Sequence, residues 1–551
     1  MSVVAAPPVV HEAVAAPARA LPALLRRFLL PSFADWFFVA LLVWLFMAGP
    51  YGWSGLLADG DIGWHIRTGQ YILSTHTVPH TDLFSFSRAG QPWFAWEWLS
   101  DIVFALLYGA AGLKGVVLFA GVLIAAFGAM LVRYMVWRGA NGLIAAMVCL
   151  VAVGASSIHF LARPHLFTLV FFVATLWLLD ADRERPSRAV WLLVPLTALW
   201  TNLHGGFAIV FVVLGLYALG ALVEGRGGWP RAGRYGLLFS GCAVATLVNP
   251  YGWGLHRHLV EYLRSDWIRS VVQEFQAPTF RSENQLQFEI LLLAGILAAG
   301  ACLRRLSLTQ PLLVVGFAHL ALTSARHIPL FAVVAAPIVA EEGTRLWSGL
   351  VERSQPRSVV RILGAVAAGA SANFRRWTLF GPLAVLAIAA VPGITAWPAD
   401  FPQRMFPVGM VAANAQRIAG SRVLTTDQWA DYLLYRFWPS TKVFVDGRTD
   451  FYGSHIGGDY IDLWHGQGRW RALLDQYGFQ TALIPPDWPL CALLRQDPAW
   501  REIGGDKQAV LFARVFGAPS EALAGGGEAA SSTGASGRSG ADVLRNRHGR
   551  P

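Results

Sequence analysis

The chain has 551 residues, of which 55% are hydrophobic and only 14% are charged. Soluble domains contain about 25% charged residues, so this composition excludes an ordinary soluble protein and predicts a polytopic membrane protein. The formal net charge of +10 is not gathered into a basic stripe with interleaved aromatic residues, and we therefore expect no nucleic-acid partner.

The cysteines and the N-terminus give no sign of secretion. The 4 cysteines are scattered and form no CxxC pair, so neither a zinc knuckle nor a redox motif is supported. Residues 1–33 are rich in Ala and Pro, and no small-residue cleavage site follows a short apolar core. We interpret them as a cytoplasmic tail that leads into an uncleaved first span.

Apolar runs long enough to cross a bilayer as helices repeat along the chain. The first run covers 34–57. The segment 98–113 is short and flanked by Trp, and we interpret it as an interfacial helix in a first outer loop of 58–113. Further spans are predicted at 115–137, 141–160, 165–181, 188–203, 205–224, 233–249, 286–303, 309–323, 327–345 and 376–397. This makes about eleven spans in a transmembrane domain of 34–399.

The arginine distribution predicts the orientation of these spans. With the N-terminus in the cytoplasm, nearly all short Arg-rich connections fall on one side, as the positive-inside rule requires. If 98–113 crossed the membrane fully, every later connection would change sides, and the Arg-rich connections after it would no longer lie in the cytoplasm. The Arg-rich connections are 133–138, 182–188, 224–234, 304–307 and 345–376.

The region 400–516 has a different pattern. Short β-prone runs such as "RVLTT" and "TALIP" alternate with helical runs such as "DQWADYLLYRF", which predicts a small α/β domain. The odd number of spans places this domain on the outer side. The last segment, 517–551, is rich in Gly, Ser and Ala and is predicted to be a disordered tail.

The stretch "DGDIGWH" follows the first span directly. Asp59 and Asp61 flank a glycine, which suits a loop, and such a pair can hold a divalent cation (Mg or Mn) or supply a general base. His65 would be a further ligand of that cation. Alternatively, Asp61 caps the helix that follows it. Residue spacing leaves these alternatives open.

Other ionisable residues lie at span ends on the same side. Buried charges at span ends are costly unless they serve a cavity or a partner, so we expect these groups to form one outward-facing polar chamber. Taken singly, each would be an interfacial anchor. Glu97 and Asp101, four residues apart, would share a helix face. The other clusters are "ARPH" (162–165), "NLHGG" (202–206), "NPYGWGLHRH" (249–258), "EFQAP" (274–278) and "SARH" (324–327).

Over roughly 30–400 the sequence resembles the GT-C superfamily of polyprenyl-phosphate-sugar-dependent membrane glycosyltransferases. The resemblance rests on the "DGD" that opens the first outer loop, on "HTDLFSF" and "PWFAWEWLSD" within it, and on a span that ends at "ARPH". The chain is most similar to a bacterial branch with "GDxGWHIRTG". The resemblance implies a location in the bacterial inner membrane, among membrane lipids, with the C-terminal domain outside.

The resemblance also implies substrates and roles. The donor would be a polyprenyl-phosphate sugar, and the acceptor a lipid, a polysaccharide or a protein. Asp59 or Asp61 would take a proton from the acceptor, and basic groups would stabilise the leaving phosphate. The residues predicted to bind substrate are His65, Arg67, Glu97, Arg163, His165, His204, Arg257, His258, Arg326 and His327.

Other functions remain compatible with the sequence. A lipid or glycan transporter would show inverted repeats and broken helices near mid-membrane, and a non-catalytic assembly protein would use the outer domain alone. In the C-terminal "VDGRTDFYG", Asp446, Arg448 and Asp450 could bind an acceptor, but a structural Asp–Arg pair at a strand-end turn is the plainer interpretation.

Overall fold

The structure is a computed structural model that describes residues 28, 30–48, 52–225, 228–374, 376, 378–390 and 397–515. Most of the predicted N-terminal tail and all of the predicted disordered tail lie outside the described residues. The described chain is mainly helical, with one small sheet near its C-terminal end.

Fifteen helices precede the C-terminal region in the described chain. They are α1 Phe33–Val43, α2 Ile62–Thr75, α3 Trp98–Trp137, α4 Gly142–Ser156, α5 His165–Glu184, α6 Leu193–Leu203, α7 Ile209–Glu224, α8 Gly228–Ala245, α9 Trp253–Arg264, α10 Asp266–Val271, α11 Glu283–Leu303, α12 Thr309–Thr323, α13 Ile328–Arg353, α14 Val359–Phe374 and α15 Phe380–Ala390.

Five helical segments are long and apolar enough to cross a membrane. They coincide with predicted spans, which confirms the polytopic character of the chain. The remaining predicted spans correspond to shorter or more polar helices, so the count of about eleven stays a prediction. The five are Trp98–Trp137, Gly142–His159, His165–Glu184, Gly205–Glu224 and Glu283–Leu303.

The predicted interfacial segment 98–113 is the first leg of α3. This helix has 40 residues and bends at Ala111 and Gly112, whose backbone angles are not helical. Gly112 has a φ of 60°, a conformation that glycine adopts without a steric cost. The bend separates a leg against α2 from a long apolar leg that begins at Leu113.

The first predicted span is interrupted. Helix α1 ends at Val43 and continues as a π-helical turn, Trp44–Ala48, and a 3-10 turn follows at Gly52–Gly55. The apolar run 34–57 is therefore not one continuous helix, since the chain changes its winding before it reaches Asp59.

The C-terminal region is an α/β unit. Its sheet has the order β1-β2-β4-β3, in which β1 and β2 are parallel and the other pairs are antiparallel. The sequence did not predict β3, because its residues follow directly on a helical run. The elements are α16 Val408–Ala413, α17 Ala415–Ile418, β1 Val423–Leu424, α18 Asp427–Phe437, α19 Thr449–His465, α20 Trp470–Gln476, β2 Thr481–Ile484, α21 Pro489–Gln496, β3 Trp500–Gly505 and β4 Val510–Arg514.

The first outer loop is joined to this sheet. The Val443 amide donates to the Phe84 carbonyl, and the Phe86 amide donates to the Val443 carbonyl, both at 2.9 Å. Val443 also bridges in parallel to Val423 of β1. A segment of the outer loop thus extends the C-terminal sheet, and the two regions fold as one body.

A buried ion cluster reinforces this junction. Arg448 donates to both oxygens of Asp446, at 2.8 and 2.6 Å, and to Asp82 of the outer loop at 2.7 Å. All three side chains are buried, and the Tyr452 hydroxyl donates to Asp446 at 2.7 Å. Asp446 and Arg448 therefore form a structural ion pair, as the plainer interpretation of "VDGRTDFYG" predicted.

Candidate active site

Arg163 joins the two aspartates of the "DGD" motif. Its Nη1 donates to Asp59 Oδ2 at 2.9 Å, and its Nη2 pairs with Asp61 Oδ2. Asp61 precedes α2, but its side chain makes no capping hydrogen bond, so the helix-cap interpretation is wrong for the side chain. Instead, "DGD" and "ARPH", about 100 positions apart in sequence, meet in one ion cluster.

The motif lies directly on the C-terminal unit. The Gly60 amide donates to the side-chain carbonyl of Gln428 at 2.7 Å. A Cβ on Gly60 would lie 2.3 Å from the backbone carbonyl oxygen of Gln428, and a Cβ on Gly63 would lie 2.4 Å from the backbone carbonyl oxygen of Asp431. Both glycines are therefore needed so that the loop can pack against α18.

This packing brings Asp431 next to Asp61. A Cβ on Gly447 would lie 1.9 Å from Asp61 Oδ1 and 2.9 Å from Asp431 Oδ2, so both carboxyl groups contact one glycine. The Gly447 amide donates to Asp431, and Asp61 Oδ1 has no hydrogen-bond partner of normal geometry among the described residues.

The environment of these two carboxyl groups favours their protonated form. Burial, against the opposing charge of Arg163 and with a smaller contribution from the charge of Asp59, raises the pKa of Asp61 to about 7. Burial and the neighbouring Asp61 also raise the pKa of Asp431. The two carboxyl groups titrate as a coupled pair, and their raised pKa values favour at least one proton on the pair near neutral pH.

Glu97 forms the second centre of the site. It lies between two imidazoles: His65 Nε2 is 3.7 Å from one carboxylate oxygen, and His204 Nε2 is 3.5 Å from the other. Burial raises the pKa of Glu97 to about 8, against the effect of Arg163. Glu97 is therefore a neutral acid at pH 7.

The hydrogen bonds of His204 define its tautomer. The Gly206 amide donates to His204 Nδ1 at 2.9 Å, and the Thr168 hydroxyl lies 2.8 Å from the same nitrogen. Nδ1 is thus the acceptor, and the proton on Nε2 points to Glu97. Burial, with the charge of Arg326, lowers the pKa of His204 to about 3, so the ring is neutral.

His65 connects Glu97 to Asp101. Its ring is fully buried, and Nδ1 lies 2.6 Å from Asp101 Oδ1. Burial and the charge of Arg163 lower the pKa of His65 well below its usual range, so this ring is also neutral. The predicted pair of Glu97 and Asp101 on one helix face is present, with His65 between the two acids.

Arg326 supplies a second cation. Its guanidinium stacks on Phe275, 4.4 Å from the ring centroid, and its Nη1 donates to the Tyr262 hydroxyl at 3.1 Å. No other hydrogen bond of this guanidinium is present among the described residues. Nearby Glu274 lies 3.6 Å from His159 Nε2, and the positive charge of Arg326, against the effect of burial, lowers the pKa of Glu274.

Aromatic rings border the site beside Arg326. Trp96 packs edge-on against Tyr262 and His258, with centroid distances of 5.2 and 5.1 Å. His258 stacks on Phe94 at 4.5 Å, and its Nε2 lies 3.4 Å from an oxygen of Asp450. This wall joins the first outer loop, α9 and α19.

Some predicted site residues have other contacts. Arg67 donates to the carbonyls of Leu434 and Tyr435, which anchors α2 to α18 and leaves it no part in the ion cluster. Arg257 is exposed on α9 and has no hydrogen bond or ion pair among the described residues.

The histidines that follow Arg163 and Arg326 bond to backbone. His165 donates from Nε2 to the His159 carbonyl at 2.6 Å, and its ring centroid lies 6.4 Å from that of His204. His327 Nδ1 is 3.2 Å from the Leu320 carbonyl. Both rings therefore support the cluster instead of facing its centre.

The predicted cation does not fit this arrangement. The Arg163 guanidinium contacts both Asp59 and Asp61, where the cation would bind, and His65 is turned to Asp101. Within the described residues, no group of three or more His, Cys, Asp or Glu side chains is arranged to hold a metal ion. The positive charge at the motif comes from arginine.

Sequence reasoning did not find Asp427 and Asp431. Both lie on α18, which was interpreted only as a helix, and burial raises the pKa of Asp427 as it does that of Asp431. Their spacing of four residues in a largely apolar helix is the same signal that marked Glu97 and Asp101.

Known structures resemble this fold, although no protein-family profile and no curated protein sequence matches the chain. The Archaeoglobus fulgidus oligosaccharyltransferase, tethered to an acceptor peptide by a disulfide bond, aligns with a TM-score of 0.50 and 10% identity over 82% of this chain and 68% of that chain. ArnT from Cupriavidus metallidurans, bound to undecaprenyl phosphate, aligns with a TM-score of 0.40 and 14% identity over 88% of this chain and 98% of that chain.

At 10% identity, the likeness to the oligosaccharyltransferase concerns the fold and no individual residue. This likeness agrees with the helical architecture, with the apolar spans and with the resemblance that the sequence motifs indicate. The chain is a helical membrane protein whose fold resembles that of the Archaeoglobus fulgidus oligosaccharyltransferase.

Proposed function

We propose that this protein is a membrane glycosyltransferase that moves a sugar from a polyprenyl-phosphate donor to a hydroxyl group of an envelope acceptor. The observation that carries the proposal is the contact of Arg163 with Asp59 and Asp61 beside the buried Asp431. The fold shared with an oligosaccharyltransferase supports the same reaction class. Sugar transfer would take place on the outer side of the inner membrane.

Asp61 is the proposed general base. Its Oδ1 has no hydrogen-bond partner of normal geometry among the described residues, and its pKa of about 7 suits proton transfer at neutral pH. The base removes the acceptor hydroxyl proton, and the acceptor oxygen attacks the anomeric carbon. The bond from that carbon to the phosphate oxygen then breaks, and its electron pair leaves with the polyprenyl phosphate. Asp431 holds the proton that the pair shares and keeps Asp61 in position.

Arginines are proposed to bind the departing phosphate. Arg326 has unused donors beyond its bond to Tyr262, and its guanidinium is held flat on Phe275. Arg163 is held in place by its ion pairs with Asp59 and Asp61. A planar guanidinium binds phosphate through two parallel hydrogen bonds, and a fixed one loses little entropy when it does so.

Substitution of the aspartates tests the proposal. We expect Asp61→Asn to reduce sugar transfer at least about 100-fold, because the neutral amide cannot accept the proton. Asp59→Asn should reduce it less, because Asp59 acts by holding Arg163. The measurement is glycan and lipid profiling of a deletion strain complemented with each variant.

Asp266→Asn is the matched control. Asp266 is an exposed aspartate whose side chain is paired with Arg269, and its loss should leave transfer unchanged. All variants must reach the membrane in equal amounts. Normal glycan output from both site variants would contradict a transferase and favour a transport or assembly function.

A further inference from the structure

A second charged cavity lies at the opposite end of the helical bundle. Helix α5 begins at His165, beside the candidate active site, and ends at Glu184; this length is about 29 Å at 1.5 Å per residue. The C-terminal ends of α5 and α7, together with the α11–α12 connection, surround a cavity of about 500 Å³. This cavity is independent of the proposed transferase site.

Arginines dominate the lining of this cavity. Five of them face it, with four acidic side chains and almost no apolar group. Because the sequence marks these arginines as determinants of orientation, their convergence on one cavity was not predicted. They are Arg138, Arg183, Arg231, Arg305 and Arg345.

Most of the acidic groups are already satisfied. Asp180 accepts hydrogen bonds from the hydroxyls of Tyr134 and Tyr217 and from Arg138. Glu224 accepts from Arg183 and from the Thr309 amide at 2.7 Å. The carboxylates therefore hold the helix ends together and have little remaining capacity to bind a cation.

Four of the five arginines are paired with carboxylates, but Arg183, which is one of the four, and Arg231 have donors that no described residue uses. Among the described residues, Arg183 donates only through Nη2, and its Nη1 and Nε have no partner there. Arg231 makes no hydrogen bond or ion pair with any residue that the structure describes, although it lies in the same lining. Unused guanidinium donors at a polar cavity favour an anion with several oxygen acceptors.

Apolar side chains lie beside these cations in sequence. Leu306 is 74% exposed next to Arg305, and Trp229 is 80% exposed two positions before Arg231. Such neighbours suit a ligand that carries apolar chains next to its charged group. Basic pockets between the ends of membrane helices bind anionic lipid headgroups in this way.

We propose that this cavity binds the phosphate group of an anionic phospholipid, with Arg231 and Arg183 as the principal donors. The test uses the purified full chain in neutral detergent. Binding of phosphatidylglycerol and of phosphatidylcholine is measured by native mass spectrometry and by the rise in Tm, with inorganic pyrophosphate as a soluble probe.

Arg231→Gln is the decisive variant, and Arg304→Gln is its matched control. Arg304 is an exposed arginine at the same end of the bundle that does not line the cavity. Arg231→Gln should weaken phosphatidylglycerol binding about ten-fold, whereas Arg304→Gln should leave it unchanged. Arg231→Lys, which keeps the charge but loses the planar fork, should fall between them.

The outcomes separate the ligand sources. Preference for phosphatidylglycerol that disappears in Arg231→Gln supports the lipid site. Stabilisation by pyrophosphate that depends on Arg231 and exceeds the effect of the lipid supports the same phosphate site with a soluble ligand. Equal binding of both lipids by the unmodified chain, or an equal loss in both Gln variants, overturns the proposal.

Discussion

At the scale of single residues, the protonation of Asp61 should govern the rate. Because burial and Asp59 raise its pKa to about 7, Asp61 carries a proton at lower pH and cannot act as a base. We expect kcat/KM for sugar transfer to rise with pH up to about 7 and then to level off. A pH–rate profile of the purified enzyme measures this, and a rate independent of pH between 5.5 and 7.5 would contradict the assignment.

Glu97 should limit the rate at higher pH. Burial raises its pKa to about 8, so it loses its proton above that pH and places a second negative charge near Asp61. The profile of the unmodified enzyme should therefore fall above about pH 8. Glu97→Gln keeps a neutral side chain of the same shape, so it should retain activity at pH 7 and lose the falling limb. An inactive Glu97→Gln variant would instead show that the ionised form is required.

The residues that sequence reasoning found are those in polar clusters within an apolar chain. Asp59, Asp61 and Arg163 could be predicted because a charge at a span end is costly without a partner. Asp431 was missed, although it lies four residues after Asp427, because an acidic pair at this spacing is ordinary in a helix of a soluble-type domain. Its importance depends on the contact between α18 and the loop, which only the tertiary structure supplies.

At the scale of elements, the packing of the "DGD" loop on α18 should be intolerant of a side chain at Gly60. The added methyl group of Gly60→Ala would lie 2.3 Å from a backbone oxygen that cannot move away. We expect a loss of about 1–3 kcal/mol in the free energy of unfolding, together with loss of activity. Thermal unfolding in detergent measures the first effect.

Gly109→Ala is the control for this prediction. Gly109 lies in α3, and a Cβ there would have no neighbour within 4 Å. This variant should be as stable as the unmodified chain or slightly more so, since alanine favours a helix. Equal stability of the two variants would mean that the loop does not pack on α18.

Helices could be predicted from the sequence better than strands. Apolar runs of sufficient length located the five longest apolar helices, because hydropathy and length suffice for that purpose. The strand predicted in "KVFVDGR" has only isolated bridges, at Val443, and the unpredicted β3 consists mostly of exposed or half-buried residues after a helical run. Short strands depend on their partners, so local sequence does not define them.

At the scale of the whole molecule, the two charged ends should face opposite sides of the membrane. Ser74 is exposed within the first outer loop and Ser187 is exposed after α5, while all 4 native cysteines are buried. A membrane-impermeant maleimide should label Ser74→Cys in spheroplasts. It should label Ser187→Cys only after the membrane is permeabilised, because the positive-inside rule predicts that the arginine-rich end faces the cytoplasm. The reverse result would place the candidate active site inside.

The junction between the first outer loop and the C-terminal sheet can form only after the C-terminal region has been synthesised. Asp82 and its partner Arg448 are 366 positions apart, so a ribosome that adds about 5–20 residues per second makes them roughly 20–70 s apart. During that interval Phe84–Phe86 would have no neighbouring strand, and Asp61 would lack Asp431. Under the proposed function, a nascent chain would therefore be inactive until its C-terminal unit has been made and has packed against the first outer loop.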